Sequence, residues 1–109
     1  MYEMKYDIND RPWVLGYRKE TLERIPVQVR VDQRFLEQHY RNGPWIERYV
    51  VQQIEGDDLC VGFGTDPYET TEDGEPVTYP LFFVNLHVWD LFPSREAVEE
   101  FRDFQDDIF

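Results

Sequence analysis

Cysteine and long apolar runs are what this sequence most clearly lacks. Cys60 is the only cysteine among 109 residues, so no internal disulfide bond can form. Its apolar neighbours, Leu59 and Val61, predict that its thiol is buried and unreactive. No apolar run reaches the roughly 18 residues of a membrane-spanning helix, and the first residues contain no apolar signal-peptide core. These absences favour a cytoplasmic protein without a membrane partner.

Basic residues are scarce, and the shortage is confined to the second half of the chain. Lys and Arg number 11 against 23 Asp and Glu, which gives a net charge of −12. Residues 1–50 contain nine bases and eight acids, whereas residues 51–109 contain two bases and fifteen acids. This excess of acid disfavours direct binding to nucleic acid or anionic lipid, because both require positive charge. The expected partner is therefore a basic protein.

Histidine is scarce too, and no metal-binding motif is present. His39 and His87 are the only histidines, and neither lies in a His-x-x-x-His or Cys-x-x-Cys pattern. The acids of residues 66–75 do not follow EF-hand spacing, although a loose carboxylate site for a divalent cation is an alternative there. Nothing in the sequence around Cys60 supports a Cys–His nucleophile pair. The sequence thus predicts structural roles for both histidines, no metal, no cofactor and no catalytic residue.

Apolar residues are numerous enough for one core. They make up 41% of the chain, with aromatic residues at 17%, so disorder is disfavoured and residues 1–109 fit a single domain. We expect an α+β fold, in which an antiparallel sheet of about five strands has an acidic C-terminal helix packed on one face. A short helix is also expected near residues 33–41. Its buried side would consist of Phe35, Leu36, His39 and Tyr40.

Strands are predicted from period-two alternation or from β-branched and aromatic content. The apolar segment 77–89 is expected at the centre of the sheet, because both of its faces are apolar. Residues 59–63 are expected to pair back on the strand before them as a hairpin. The other expected strands are residues 2–8, 13–17, 27–31 and 45–54.

Residues 94–108 show the clearest helical pattern in the chain. Ser94 is a good N-cap, because its hydroxyl can accept a hydrogen bond from a free N–H of the first turn. Apolar residues recur on one face at helical spacing and predict a core contact, above all through Phe101 and Phe104. The apolar face consists of Ala97, Val98, Phe101, Phe104 and Ile108.

The opposite face of this helix is nearly all carboxylate. Like charges three or four residues apart destabilise a helix by about 0.2–0.5 kcal/mol per pair, and acids near the C-terminus oppose the helix dipole. A chain that tolerates both costs is expected to gain from the charge by binding a partner. The carboxylates recur every turn, at about 5.4 Å, which is the scale of successive phosphates along a nucleic-acid strand. The residues of this face are Glu96, Glu99, Glu100, Asp103, Asp106 and Asp107.

A second acidic segment, residues 65–76, contains five acids and no base. It is expected to be a polar loop with a tight turn at Asp73–Gly74. Tyr68 lies between polar neighbours and is the expected aromatic anchor, since tyrosine gives a large contact area at a low cost in conformational entropy. The predicted partner-binding residues of this segment are Asp66, Tyr68, Glu69, Glu72, Asp73 and Glu75.

In size and charge the chain resembles the acidic inhibitors with which phages and plasmids block host defence and repair enzymes, anti-CRISPR proteins among them, and the immunity proteins of toxic nucleases. The resemblance implies a protein–protein inhibitor that is not itself an enzyme. Its acidic face would mimic nucleic acid and block the basic substrate-binding surface of a DNA- or RNA-binding enzyme. The implied partner is a basic nucleic-acid-binding protein or nuclease.

Other hypotheses stay open. One is a small ligand-binding or enzymatic α+β domain with a pocket between sheet and helix, lined by His87 or Trp89. Another is a structural subunit that forms a homodimer through its apolar strands. The acidity could also serve only solubility or adaptation to a saline cytosol, although the almost neutral first half and the single alanine fit saline adaptation poorly.

Overall fold

Strands and one C-terminal helix make up most of the chain. The computed structural model describes residues 3–108. A short 3-10 turn (Val88–Asp90) leads to helix α1 (Arg95–Ile108). In chain order, the strands are β1 (Trp13–Arg18), β2 (Arg24–Glu37), β3 (Ile46–Gln53), β4 (Leu59–Cys60), β5 (Gly62–Thr70), β6 (Pro76–Leu81) and β7 (Phe83–His87).

β2 is the centre of a curled, five-stranded antiparallel sheet with the order β4-β1-β2-β3-β7. Its alternating Val27, Val29 and Val31 are all buried, as the period-two pattern predicts. On either side, Val14 of β1 lies opposite Val27, and Val51 of β3 lies opposite Val31. Each such side chain contributes about 1.5–3 kcal/mol by its burial. One antiparallel sheet with a C-terminal helix confirms the expected α+β class in outline, although the structure is mostly sheet.

The prediction of a short helix near residues 33–41 is wrong, because β2 continues into this segment as far as Glu37 and pairs with β3. A β-bulge between Val31 and Gln33 inserts an extra residue into the strand. The bulge breaks the period-two alternation and leaves a spacing that imitates a helix. The side that was expected to be buried is exposed at Phe35, His39 and Tyr40.

The apolar segment 77–89 is not the central strand that its two apolar faces indicated. It changes partner at Phe82, since β6 pairs with β5, whereas β7 pairs with β3 at the edge of the sheet. Its two halves therefore belong to two different sheets, and Phe83 stays exposed. The pattern of apolar residues in a segment does not show such a change of pairing partner, because the partner strands are distant in the chain.

Two further pairings differ from expectation. Residues 59–63 do not pair back on β3, since β4 pairs with β1. The loop expected at residues 65–76 is mostly strand, since β5 and β6 form a separate two-stranded sheet. The strands expected at residues 13–17, 27–31 and 45–54 are confirmed.

The strand expected at residues 2–8 is absent where the structure describes it, in residues 3–8, and Tyr2 lies outside the described residues. Tyr6 from this segment packs edge-on against Tyr49, with ring centroids 5.6 Å apart. The alternation of apolar and charged residues in this segment therefore reflects the burial of Tyr6 and not a paired strand.

Helix α1 begins after Ser94, as expected, and the Ser94 Oγ accepts a hydrogen bond from the Ala97 N–H (3.1 Å). The helix packs on β1 and β2 and buries Val98 completely. The expectation that Phe101 and Phe104 belong to the core is wrong, since their exposed fractions are 39% and 63%. No helix within residues 3–108 has the length and apolarity needed to cross a lipid bilayer.

The rotation of α1 follows from polar contacts with β2. Arg24 donates hydrogen bonds to Gln105 (2.6 Å) and to Asp106, and Arg102 donates one to the backbone carbonyl of Arg24 (3.4 Å). These bonds turn Arg102 and Gln105 toward the sheet and leave Phe104 and Ile108 exposed to solvent. The valines of the sheet already fill the core, so the aromatic residues of the helix are not needed there.

Candidate functional site

The acidic face of α1 contains an exposed row of four carboxylates. The row consists of Glu96, Glu100, Asp103 and Asp107. Within residues 3–108, Glu96, Glu100 and Asp107 form no ion pair. Its first and last residues are eleven steps apart along the helix, so the row presents negative charge to solvent over about 16 Å.

The remaining helix acids, together with Asp103, are paired with bases of the protein itself. The pairs are Arg95–Glu99 (3.0 Å), Arg102–Asp103 (3.3 Å) and Arg24–Asp106. Exposed ion pairs of this kind contribute about 0–1 kcal/mol, so a lysine or arginine of a partner can replace them. Asp106 is the least available of the six, because its pair joins the helix to the sheet.

Strands β5 and β6 form an acidic hairpin, residues 62–81, that extends from the five-stranded sheet. Nearly every residue from Thr65 to Tyr79 is exposed, and the longest dimension of the molecule is 53 Å, against 34 and 30 Å for the others. None of the five hairpin acids forms an ion pair within the described part of the chain. These acids are Asp66, Glu69, Glu72, Asp73 and Glu75.

Tyr68 lies on a bulge of this hairpin. A register shift between Asp66 and Thr70 leaves Pro67, Tyr68 and Glu69 without cross-strand partners. The Asp66 Oδ1 accepts a hydrogen bond from the Tyr68 N–H (2.9 Å), which fixes the backbone of the bulge. The Tyr68 side chain is 93% exposed. An exposed aromatic side chain on a fixed backbone suits the role of an interface anchor.

The tip of the hairpin closes in a turn around Thr71. Its N–H donates to the Glu75 carbonyl (2.7 Å), its carbonyl accepts from the Gly74 N–H (2.9 Å), and its Oγ1 accepts from the Glu75 N–H (3.3 Å). Gly74 has a φ of +82°, a left-handed conformation that glycine adopts without strain. The tight turn expected at Asp73–Gly74 is confirmed, and it places Glu72, Asp73 and Glu75 together at the tip.

The helix row and the acidic hairpin belong to different parts of the fold. Helix α1 packs on β1 and β2. The hairpin is attached at its base by a hydrogen bond from the Val61 N–H to the Leu81 carbonyl (2.9 Å) and by the rings of Tyr17 and Phe63 (5.5 Å). No hydrogen bond or ion pair among residues 3–108 joins the two acidic surfaces. The two acidic surfaces are therefore separate from each other.

An open cavity of about 460 Å³ lies between the sheet and α1. Tyr17, Trp89 and Phe101 provide aromatic walls, and Arg24 and Asp90 provide charged groups. The space between sheet and helix is thus not fully packed. Its volume falls within the roughly 300–1,000 Å³ of small-molecule pockets.

A cluster that contains both histidines lies at the ends of β2 and β7, and no sequence motif indicates it. Nitrogen atoms of His39 and His87 and a carboxylate oxygen of Glu37 lie within 4.8 Å of one another. The Arg48 Nη1 of β3 is 2.9 Å from the His87 Nε2 and 3.3 Å from the Glu37 Oε2. The only signal was the alternate spacing of Glu37 and His39, which is informative only once residues 33–37 are known to be strand.

No protein family, no curated protein and no solved structure matches this chain. Its function is therefore argued from the two acidic surfaces, the cavity and the histidine cluster.

Raised pKa values identify buried structural groups. Burial, together with a hydrogen bond to Glu47, raises the pKa of Tyr49 to about 12. Burial and the nearby charge of Asp10 raise the pKa of Tyr6. Burial also raises the pKa of the Cys60 thiol, which is fully buried as expected. None of these three groups lines the cavity.

Proposed function

We propose that this protein is an inhibitor that binds a basic, nucleic-acid-binding protein through its unpaired carboxylates. The observation behind the proposal is that three acids of the helix row and all five hairpin acids have no ion pair within residues 3–108. Concentrating like charges costs folding free energy, and a positively charged partner offsets that cost. The partner class is an enzyme that acts on DNA or RNA, such as a defence enzyme blocked by a phage protein or a nuclease blocked by its immunity protein.

The helix row supplies the nucleic-acid-like part of this surface. Its carboxylates recur about every 5.4 Å, so they can meet Lys and Arg side chains that otherwise hold phosphates. Phe104 lies beside the row and is 63% exposed, which adds an apolar contact that a phosphate backbone does not offer. The combination favours binding to a protein surface.

The acidic hairpin supplies the second contact. Its tip carries Glu72, Asp73 and Glu75, and the side chain of Tyr68 stands on the bulge behind them. The charged tip accelerates encounter with a basic surface, and the tyrosine adds contact area after docking.

Reversal of charge on the helix row tests the proposal. The double variant Glu100→Lys, Asp103→Lys should retain the fold, because both residues are exposed, and should slow association with the partner at least about tenfold. A tagged protein would be used to capture partners from host lysate at low and high salt. The captured protein would then be tested for nucleic-acid binding in the presence of increasing wild-type inhibitor.

A matched control makes the same change in charge at two acids that belong to neither surface. Glu20→Lys with Asp57→Lys fits, since both residues are exposed and neither forms an ion pair within the described chain. Capture should be lost with the helix variant and at high salt, and should persist with the control. Equal capture by both variants, or a captured protein whose nucleic-acid binding the inhibitor does not block, contradicts the proposal.

The cavity supports a second candidate function, the binding of a small molecule. Its aromatic walls fit a flat apolar ligand, and Arg24, Asp90 and Gln105 offer polar groups that could orient it. This candidate does not require any of the acidic surfaces.

The three tryptophans provide the test of ligand binding. Only Trp89 lines the cavity, whereas Trp13 and Trp45 do not. In an NMR screen with small aromatic compounds, a true cavity ligand should shift the Trp89 indole N–H signal saturably and leave that of Trp45 unchanged. Equal shifts at both, or no saturable shift at Trp89, would exclude this function for the compounds tested.

A further inference from the structure

The histidine cluster places two imidazole nitrogens and one carboxylate oxygen close together, and transition metals prefer ligand atoms of these kinds. Glu37 ends β2, His39 follows it by two residues, and His87 ends β7 on the far side of β3. The His39 Nε2 donates a hydrogen bond to the Glu37 Oε2 (3.1 Å). A metal ion would replace the proton between these two atoms, whose distance is close to the roughly 3.4 Å between ligands of a tetrahedral zinc ion with bonds of about 2.0–2.1 Å. All three donor atoms lie within 4.8 Å, so small side-chain rotations suffice to close the set.

The contacts of His87 show which of its nitrogens faces the cluster. The Arg48 Nη1 lies 2.9 Å from the His87 Nε2, so Nε2 is the nitrogen that faces the cluster. The His87 Nδ1 faces Asp90, whose Oδ2 lies 3.8 Å away and whose backbone N–H points to the ring. Trp89 stacks on the ring, with centroids 4.2 Å apart and planes 9° apart, and holds its orientation.

Asp90 and Trp89 thus hold the His87 ring with its Nε2 toward the cluster. The backbone near His39 is also fixed. The Gln38 Nε2 donates to the Gly43 carbonyl (2.6 Å) across the turn that joins β2 to β3, and Asn42 adopts a left-handed φ of 65° there.

Arg48 holds the place of a cation in the cluster. Its guanidinium contacts both the Glu37 carboxylate and the His87 nitrogen, and it also donates to the Asn85 Oδ1 (3.0 Å). A bound metal ion would take over the first two contacts, while the bond to Asn85 can keep the displaced side chain at the edge of the cluster. Arg48 therefore competes with the metal and lowers its affinity.

We propose that Glu37, His39 and His87 form a binding site for a divalent first-row transition metal ion such as Zn²⁺. Two imidazole nitrogens and one carboxylate select such an ion over Ca²⁺ and Mg²⁺, which take oxygen ligands. Three protein ligands leave a fourth position of the metal for water or for a group from a partner. The site is independent of the acidic helix row and hairpin.

Titration of the whole protein with Zn²⁺ alone tests the site. We expect one ion per chain by calorimetry, with saturable NMR shifts of the ring nitrogens of both histidines. His39→Ala and His87→Ala should each weaken binding by at least the ~100-fold that loss of even an outer-shell partner can cause. Glu37→Gln should weaken it too, because the carboxylate ligand is replaced by a neutral amide.

Two further variants separate a built site from general attraction to acid. Arg48→Gln should bind Zn²⁺ more tightly than the wild type, because the competing cation is gone. Glu69→Gln with Glu72→Gln, on the hairpin, should leave affinity unchanged. The proposal is overturned if His39→Ala leaves Zn²⁺ affinity unchanged, if the hairpin variant abolishes binding, or if the wild type binds no Zn²⁺ at neutral pH. His39 is exposed, so its variant is expected to fold even if the Arg48 variant does not.

Discussion

At the scale of single residues, Tyr49 links the N-terminal segment to the sheet. It is fully buried in β3, its hydroxyl donates to the Glu47 Oε1 (2.6 Å), and the same hydroxyl accepts from the Tyr6 N–H (3.1 Å). Glu47 also accepts from the Lys5 N–H (2.7 Å). One buried phenol and one carboxylate therefore position a segment that has no strand pairing of its own.

The raised pKa of Tyr49 predicts a loss of stability in alkali. The phenol ionises near 10 in the unfolded chain but at about 12 in the fold, so its contribution is complete below pH 10 and falls as pH rises from 10 to about 12. Tyr49→Phe should lower the free energy of unfolding at pH 7 by about 1–3 kcal/mol, because it leaves the buried Tyr6 N–H without an acceptor. In the same variant the free energy of unfolding should fall less steeply as pH rises from 10 to about 12. Part of the fall should remain, because the pKa of Tyr6 is also raised.

Urea unfolding at pH 7 and at steps from pH 9 to 12 measures both effects. Tyr68→Phe is the matched control, because that side chain is 93% exposed and should change neither quantity. If Tyr49→Phe leaves the slope in alkali as steep as in the wild type, the loss has another origin.

At the scale of elements, α1 shows what a sequence pattern can and cannot specify. Its existence, its bounds and its Ser94 cap follow from local signals, and all were predictable. Its rotation was not, because it depends on Arg24, a residue about eighty positions away that binds the C-terminal turn of the helix. The helical pattern marked five apolar residues, but only Val98 is fully buried.

Two substitutions distinguish the observed rotation from the expected one. Val98→Ala should lower the free energy of unfolding by about 2 kcal/mol through lost burial. Phe104→Ala should change it by no more than about 0.5 kcal/mol, since that ring is mainly in solvent. Chemical denaturation of the two variants at one pH is sufficient, and a larger loss for Phe104→Ala would mean that the helix packs through its aromatic face.

The strands show the same division between local and distant causes. β1, β3 and the first half of β2 were predictable, because alternation or β-branched content shows them directly. The bulge after Val31 and the change of partner at Phe82 were not predictable. The first led to the wrong helix at residues 33–41, and the second led to the wrong central strand at residues 77–89. A helix over residues 33–41 would have kept Glu37 out of the sheet that contains His87, so the histidine cluster could not be predicted from the sequence. The exposure of the acidic residues was predictable, because charged side chains stay in solvent whichever strands pair.

At the scale of the whole molecule, the fold partly redistributes the charge asymmetry of the chain. Bases of the first half pair with acids of the second, as in Arg18–Asp58 (3.0 Å) and Arg24–Asp106. These pairs are few beside a net charge of −12. Repulsion among the remaining carboxylates therefore opposes the compact state.

Added NaCl should accordingly raise the unfolding temperature at neutral pH. Salt screens repulsion among many unpaired acids, and this gain outweighs the loss of a few exposed ion pairs. The triple variant Glu69→Gln, Glu72→Gln, Glu75→Gln should show a smaller rise, since it removes part of the repulsion in advance. Differential scanning calorimetry over a range of NaCl concentrations measures the slope, and a melting temperature that falls with NaCl would show that the ion pairs dominate.

The acidic hairpin has one more consequence, which concerns self-assembly. Beyond its base, β5 and β6 pair only with each other within residues 3–108, so both outer edges offer free backbone N–H and C=O groups to a further strand. The five carboxylates along this ribbon keep two such edges apart while they are ionised. Near the isoelectric point of about 4.4 much of that repulsion is lost, and the ribbons of separate molecules become able to add to one another as strands. The charge that we propose for partner binding should thus also oppose self-association, and light scattering should rise on acidification.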